Sequence, residues 1–177
     1  MERSILPVGV APPKLTDDKL AQIGIATHYE AYAKTILTVV LKSLAGLSFA
    51  DWVQLEKKQF GQIVDDVSSY ITADNALYEY FEIIKRRHEE LRESRNFVVH
   101  AIWGQSASGL ARGYCYRRKK SADENDVVRA VNDSFWLATK VHELAFQVAL
   151  KIEAGALSEG TEDLGFHMNA SSRSVRF

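Results

Sequence analysis

Between Leu77 and Ile102 the chain repeats residues at steps of four and three: Leu77, Phe81, Ile84, His88, Leu91, Arg95, Val98 and Ile102. That spacing sets all eight on one face of a helix. Six of them are hydrophobic, so the face must bury itself against a neighbour. Arg95 falls inside it, where an unpaired guanidinium is costly. The position demands a partner: a carboxylate, a second subunit or a phosphate.

The rest of the chain supplies helices for that face to meet. Thr16, Asp17 and Asp18 form a helix start, with acidic residues favoured in a first turn, and Gly46 closes that helix after Ala45. Ser48 and Asp51 have the spacing of a capping box variant for a second helix over 49–70, with an apolar side of Trp52, Leu55, Phe60, Ile63 and Val67. A third helix starts at Thr72 or Asp74, carries Arg95 and ends near Trp103 and Gly104. A fourth runs from Asp123 and Glu124 to Glu153, just before Gly155, with Val131, Leu137, Val141, Leu144 and Val148 on its buried side. The expected fold is all-α, a four-helix bundle over residues 15–155. Residues 1–14 hold all three prolines and read as an extended arm. Residues 104–122, rich in glycine, aromatics and cations, read as a long loop or short β-hairpin. Residues 156–177 read as a flexible tail.

Composition narrows the function classes. With 177 residues, 46% of them hydrophobic, the chain suits one packed domain. A net charge of -1 gives no global field for nucleic acid, so any basic surface must be local. The lone Cys115 excludes an intramolecular disulfide and suits a reducing compartment. No run of about 18 apolar residues is present, nor a charged-then-apolar leader, so the expected location is cytoplasmic, with no membrane partner. His28 with Glu30, His88 with Glu89, and His142 with Glu143 lack the two-histidine helical spacing of a zinc site. Asp65 and Asp66 read as helix surface, and Trp52, Trp103 and Trp136 as core or interface anchors.

A second stripe runs along the third helix: Glu89, Glu93, Asn96 and His100, at steps of four, three and four. With Arg95 it yields Arg95-Asn96-Phe97-Val98-Val99-His100, late in the third of four helices. This pattern resembles the signature of HEPN domains, α-helical bundles that are commonly dimeric. Many members are metal-independent ribonucleases of toxin, antiphage or RNA-processing systems. The likeness covers the bundle, and its specific part is about six residues. It implies RNA as substrate, no cofactor, Arg95 and His100 as the catalytic pair, Asn96 as the polar residue beside them, and an antitoxin or other protein partner.

The residue types suit that chemistry. Cleaving RNA without a metal needs a proton taken from the ribose 2′-hydroxyl and charge stabilised on the phosphate. Histidine side chains transfer protons near neutral pH, and arginine presents a fork of donors matched to phosphate oxygens. At about 100° per residue, however, Arg95 and His100 stand roughly 140° apart on an ideal helix. A homodimer through this helix would reconcile them and would explain a charge in the seam. Arg112, Tyr114, Tyr116, Arg117, Arg118, Lys119 and Lys120 mix cations with aromatics, a composition that grips phosphates and stacks on bases. They also fit a solvated basic turn. Two other readings keep the fold: a non-catalytic RNA- or nucleotide-binding dimer, and a protein-interaction module. In the latter, Arg95 pairs with Glu93 or with a carboxylate of another helix.

Overall fold

The computed structural model describes residues 17–105, 111–115 and 119–155. The expected arm and tail, residues 1–14 and 156–177, lie outside them. Along the chain run α1 (Asp17–Ala45), α2 (Phe49–Leu55), α3 (Phe60–Ser68), α4 (Tyr78–Val99), β1 (Ile102–Gln105), β2 (Ala111–Cys115), β3 (Lys120–Asp123) and α5 (Glu124–Glu153). The described residues are thus mostly helical, with one small antiparallel sheet in the order β1-β2-β3.

The long helices α1 and α5 run side by side in the same direction. Lys19 meets Glu124 at 3.6 Å near both starts, the Tyr29 and Phe135 rings sit 5.2 Å apart, and Tyr32 Oη lies 2.9 Å from His142 Nδ1. Helix α4 lies against this pair in the opposite direction. The Arg87 guanidinium stacks over Trp136 at 4.2 Å, and Tyr80 donates to Glu143. Phe81, Ile84, Leu91, Leu37, Ile63, Val141 and Leu144 form the main core between these helices.

Three departures from the expected helices have local causes. The segment 49–70 is two helices: Ser48 caps α2 by accepting from the Asp51 N–H, and α3 restarts at Gln59, whose backbone N–H donates to the Gln62 side chain at 2.8 Å. Lys58 closes the break with an ion pair to Asp66 at 2.6 Å. The third helix begins at Tyr78, later than expected, and stops at Val99, short of Trp103. Val98, Val99, Ile102 and Trp103 are strand formers, and the chain enters β1 at Ile102. Trp103 turns inward and donates its indole N–H to the Val98 carbonyl at 2.9 Å.

The anticipated loop or hairpin is the three-stranded sheet. One face of it, with Trp103, Gly113 and Ala122 in register, packs on Val98, Val127 and Ala130 as a second small core. A Cβ at Gly113 would lie 3.0 Å from the Trp103 ring, so glycine keeps the sheet against its tryptophan. Asp123 ends the sheet and caps α5, accepting from Asn125 and Asp126 N–H groups. Among the described residues no helix is long and apolar enough to cross a membrane.

Two measurements test this packing. Phe81 is fully enclosed, so Phe81→Ala is expected to cost about 3–5 kcal/mol in urea unfolding; a loss below about 1 kcal/mol would contradict its place in the core. On the α4–α5 contact, hydrogen bonds from Lys140 and then Tyr80 hold the Glu143 carboxyl below the ordinary carboxylate range. Such a group stabilises the fold above its unfolded pKa of about 4.3 and loses that contribution as pH falls through its lower folded value. Glu143→Gln is therefore expected to flatten the acid limb of the stability–pH profile. An unchanged slope would detach the carboxylate from folding.

Candidate functional site

The Arg95 side chain points into the protein. Its Nε faces the carboxylate of Glu30 on α1, and both side chains are about four-fifths buried. The Nε–H direction makes no hydrogen bond among the described residues. The charge pairing stands regardless, because it depends on separation rather than on angle. The pair sits in a narrow cleft bounded by Phe60, His88, Arg92, Ser134 and Leu137, with room for about one water molecule. Arg95's partner is therefore a carboxylate of another helix in the same chain. The need for a second subunit to meet it disappears.

His88, from the same stripe, is buried in this cleft. Its Nδ1 lies 2.6 Å from the Lys85 carbonyl and its ring 5.7 Å from that of Phe60. The carbonyl can only accept, so Nδ1 carries the proton and Nε2 is turned toward α3, 3.6 Å from where a Cβ on Gly61 would stand. The interior cluster is thus Glu30, His88 and Arg95, and it does not include His100.

His100 is the C-cap of α4, and its backbone N–H donates to the Asn96 carbonyl at 3.1 Å. The side chain is exposed and takes no hydrogen bond among the described residues, while Asn96 is half-buried. Of the second stripe, Glu89 and Glu93 are exposed as well, so it is the solvated side of α4. The structure keeps the angular separation anticipated from the helical wheel: Arg95 faces inward and His100 outward, around one helix end. Ile102, the last member of the apolar stripe, is exposed in β1 and leaves the helix face altogether.

The basic segment divides. Tyr116, Arg117 and Arg118 lie outside the described residues. Arg112 and Tyr114 are exposed on β2, and Tyr114 stands in register with Ile102 on one side and Ser121 on the other. The outer sheet face therefore begins two residues after His100 and presents an aromatic ring and a cation. Arg112 also reaches Asp123 at 3.7 Å across the strands, an exposed pair of small energetic weight. Lys119 takes φ 51 just ahead of β3, and Lys119 and Lys120 are exposed. Lys120 lines an open groove of about 550 Å³ between α4 and α5 with Arg87 and Arg129, but Glu90, Glu93, Asp126 and Asp133 line it too. Those four carboxylates make the groove a poor seat for phosphate. The outer sheet face is the better one.

Among the described residues no three histidine, cysteine, aspartate or glutamate side chains group as a metal site. Cys115 is buried on the inner side of the sheet. Of the tryptophans, Trp103 anchors the sheet, Trp136 lies under Arg87, and Trp52 donates to Thr38 at 3.3 Å. Sequence spacing could not single out Glu30, which is 65 positions from Arg95; only the packing of α1 on α4 selects it. Compared with known proteins, the chain matches no protein family, no curated protein and no solved structure.

The Glu30–Arg95 pair makes a direct prediction. Removing one partner of a buried pair strands the other charge, which costs about 3–5 kcal/mol when burial is complete. With these side chains partly exposed, Glu30→Gln and Arg95→Met are each expected to cost somewhat less, about 2–3 kcal/mol. The double variant should recover part of the loss. Strictly additive losses in urea unfolding would show that the two groups are not coupled.

Proposed function

We propose that this chain is a HEPN-like helical protein directed at RNA, acting as a metal-independent endoribonuclease in a cytoplasmic toxin or antiphage setting. One observation carries the reading: the end of α4 delivers His100 to the surface, one turn after the half-buried Asn96 and directly ahead of a sheet face bearing Arg112 and Tyr114. A strand of RNA laid on that face can stack a base on Tyr114 and place a phosphate near Arg112 and the end of α4. His100 then takes the proton from the 2′-hydroxyl, and the 2′-oxygen bonds to the adjacent phosphorus. The bond to the 5′-oxygen breaks, and that oxygen takes a proton back from the His100 imidazolium, leaving a 2′,3′-cyclic phosphate and a 5′-hydroxyl. Arg95, whose Nε faces Glu30, meets the charged phosphate with its terminal guanidinium nitrogens once its side chain turns toward the end of α4. Asn96, between them at the helix end, positions the ribose or the imidazole.

A second reading has its own observation. Because Glu30 already compensates Arg95 within the chain, the motif also serves as a clamp between α1 and α4 in a non-catalytic module that binds RNA or protein.

Purified protein incubated with structured RNA and EDTA separates these. For the nuclease, cleavage proceeds with cyclic phosphate ends and falls by about 10²-fold or more in His100→Ala and in Arg95→Ala, with the folded content of each variant checked by circular dichroism. RNA binding without cleavage favours the binding module. No RNA binding, with Arg95→Ala acting only on stability, leaves the clamp.

A further inference from the structure

The outward sides of α4 and α5 differ in kind. On α4 every exposed residue but Ile83 is charged up to Glu93. On α5, Val128, Phe135, Phe146 and Leu150 are exposed. With Asn132, Thr139 and His142 they fall within an arc of about 80° on the helix. Between Val128 and Leu150 that arc holds no lysine, arginine, aspartate or glutamate. Alongside it on α1 lie Ile25, exposed, and Tyr29, whose ring packs edge-on to Phe135. A groove of about 330 Å³ opens between the two helices here, walled by Tyr29, Phe135, Thr139 and His142. Contiguous apolar surface of this extent is a mark of an interaction site.

We infer that this α1–α5 face seats a segment of its own chain, residues 164–170, laid back along α5 with the Phe166 ring in the groove. The end of α5 starts the chain on that path. Gly155 takes φ 67 and donates to the Ile152 carbonyl at 2.9 Å, the left-handed terminator at which a chain leaves its helix axis. After Glu159, Glu162 and Asp163, residues 164–172 contain no lysine, arginine, aspartate or glutamate. Within them Leu164, Phe166, Met168 and Ala170 alternate with Gly165, His167, Asn169 and Ser171. In an extended chain that alternation puts all four apolar side chains on one side. The uncharged stripe thus has an uncharged, one-sided segment of the same chain to cover it.

The lengths agree. Helical rise sets Phe146 about 14 Å and Thr139 about 24 Å back from Gly155. Eleven extended residues reach about 36 Å, so Phe166 returns to the groove with chain to spare. From Leu164 to Met168 an extended run covers about 13 Å. Set antiparallel to α5, it places Leu164 beside Phe146, Phe166 over Thr139 and His142, and Met168 toward Phe135. An apolar site of about 150 Å³ holds a benzene ring, so the groove has room for the phenyl group. The segment ahead of α1 is a poorer fit. Lys19 meets Glu124 at the starts of the two helices, about 33 Å of helix before Phe146. Val8 and Val10 precede Asp17 by too few residues to cover that distance, since even nine extended residues span only about 30 Å.

Disulfide trapping on the full chain tests the assignment, because the bond forms only where two Cα atoms come within about 7 Å. Leu164→Cys is combined with Phe146→Cys on α5 or, as the control, with Glu79→Cys on α4. The control stands at a similar height, since Tyr80 next to it meets Glu143. Cys115 is buried and stays in place. Under mild oxidation at low micromolar protein, the α5 pair is expected to close within one chain about tenfold or more faster than the α4 pair, through its higher effective concentration. Adding Phe166→Asp, which lies beyond α5 and leaves the bundle core untouched, is expected to bring the two rates together. Should Phe146→Cys lower the helical circular dichroism, the exposed Leu150→Cys takes its place. Equal rates without Phe166→Asp overturn the inference, as does a difference that Phe166→Asp leaves unchanged. A disulfide that joins two chains gives the face to a second copy, and a Val8→Cys/Phe146→Cys chain that closes faster gives it to residues 1–14; either result overturns the inference. Neither the contact nor its readout involves RNA.

Discussion

The architecture depends on the apolar stripe of α4 seating itself against α1 and α5. Leu77, Phe81, Ile84, Leu91 and Val98 are all buried there, and each of the large side chains contributes on the order of 1.5–3 kcal/mol by leaving water. The arrangement fixes α4 antiparallel to two helices that run parallel to each other, and this in turn decides where Arg95 points. A guanidinium carried inward by so strong a stripe needs a carboxylate beside it. Glu30 is the group that makes its position tolerable.

Much of this was legible from residue spacing, for physical reasons. The period of 3.6 located α4 and α5, because each buries one long face, while α1 was placed by the signals at its two ends. Gly46, with its positive φ, and Asp123, with its cap hydrogen bonds, marked helix boundaries by chemistry that leaves a local signature. The break between α2 and α3 did not announce itself, since Leu55 and Phe60 keep an apolar rhythm across it and only the paired glutamines Gln59 and Gln62 signal a restart. The end of α4 was misplaced for a related reason. Ile102 continues the helical step of four, yet the β-branched run around it and the indole of Trp103 gain more from strand pairing and from burial against Val98.

The candidate site divides in the same way. That Arg95 required a partner followed from its place in an apolar row; that the partner would be Glu30 did not, because contacts between α1 and α4 are long-range in sequence. His100 illustrates the opposite case. Its neighbours Val98, Val99, Ala101 and Ile102 are apolar, but the helix ends beneath it and leaves the residue exposed to solvent. The motif is therefore one sequence element read in two environments: a compensated, inward arginine and an open, outward histidine, joined by Asn96.

This division explains how a helix end can be both scaffold and site. The pairing with Glu30 ties the Arg95 side chain to the fold, and in the proposed ribonuclease that restraint would reduce the entropy lost when the guanidinium binds an anion. His100, tied to no side chain among the described residues, would in the proposed ribonuclease have the freedom needed to accept and then return a proton. Had both residues shared the buried face, the imidazole would have been sealed from any substrate. Had both faced solvent, the arginine would have been one more mobile surface cation. The roughly 140° between them is thus compatible with a division of labour at the end of α4. It places the burden of alignment on whatever lies across Asn96 and the first residues of β1.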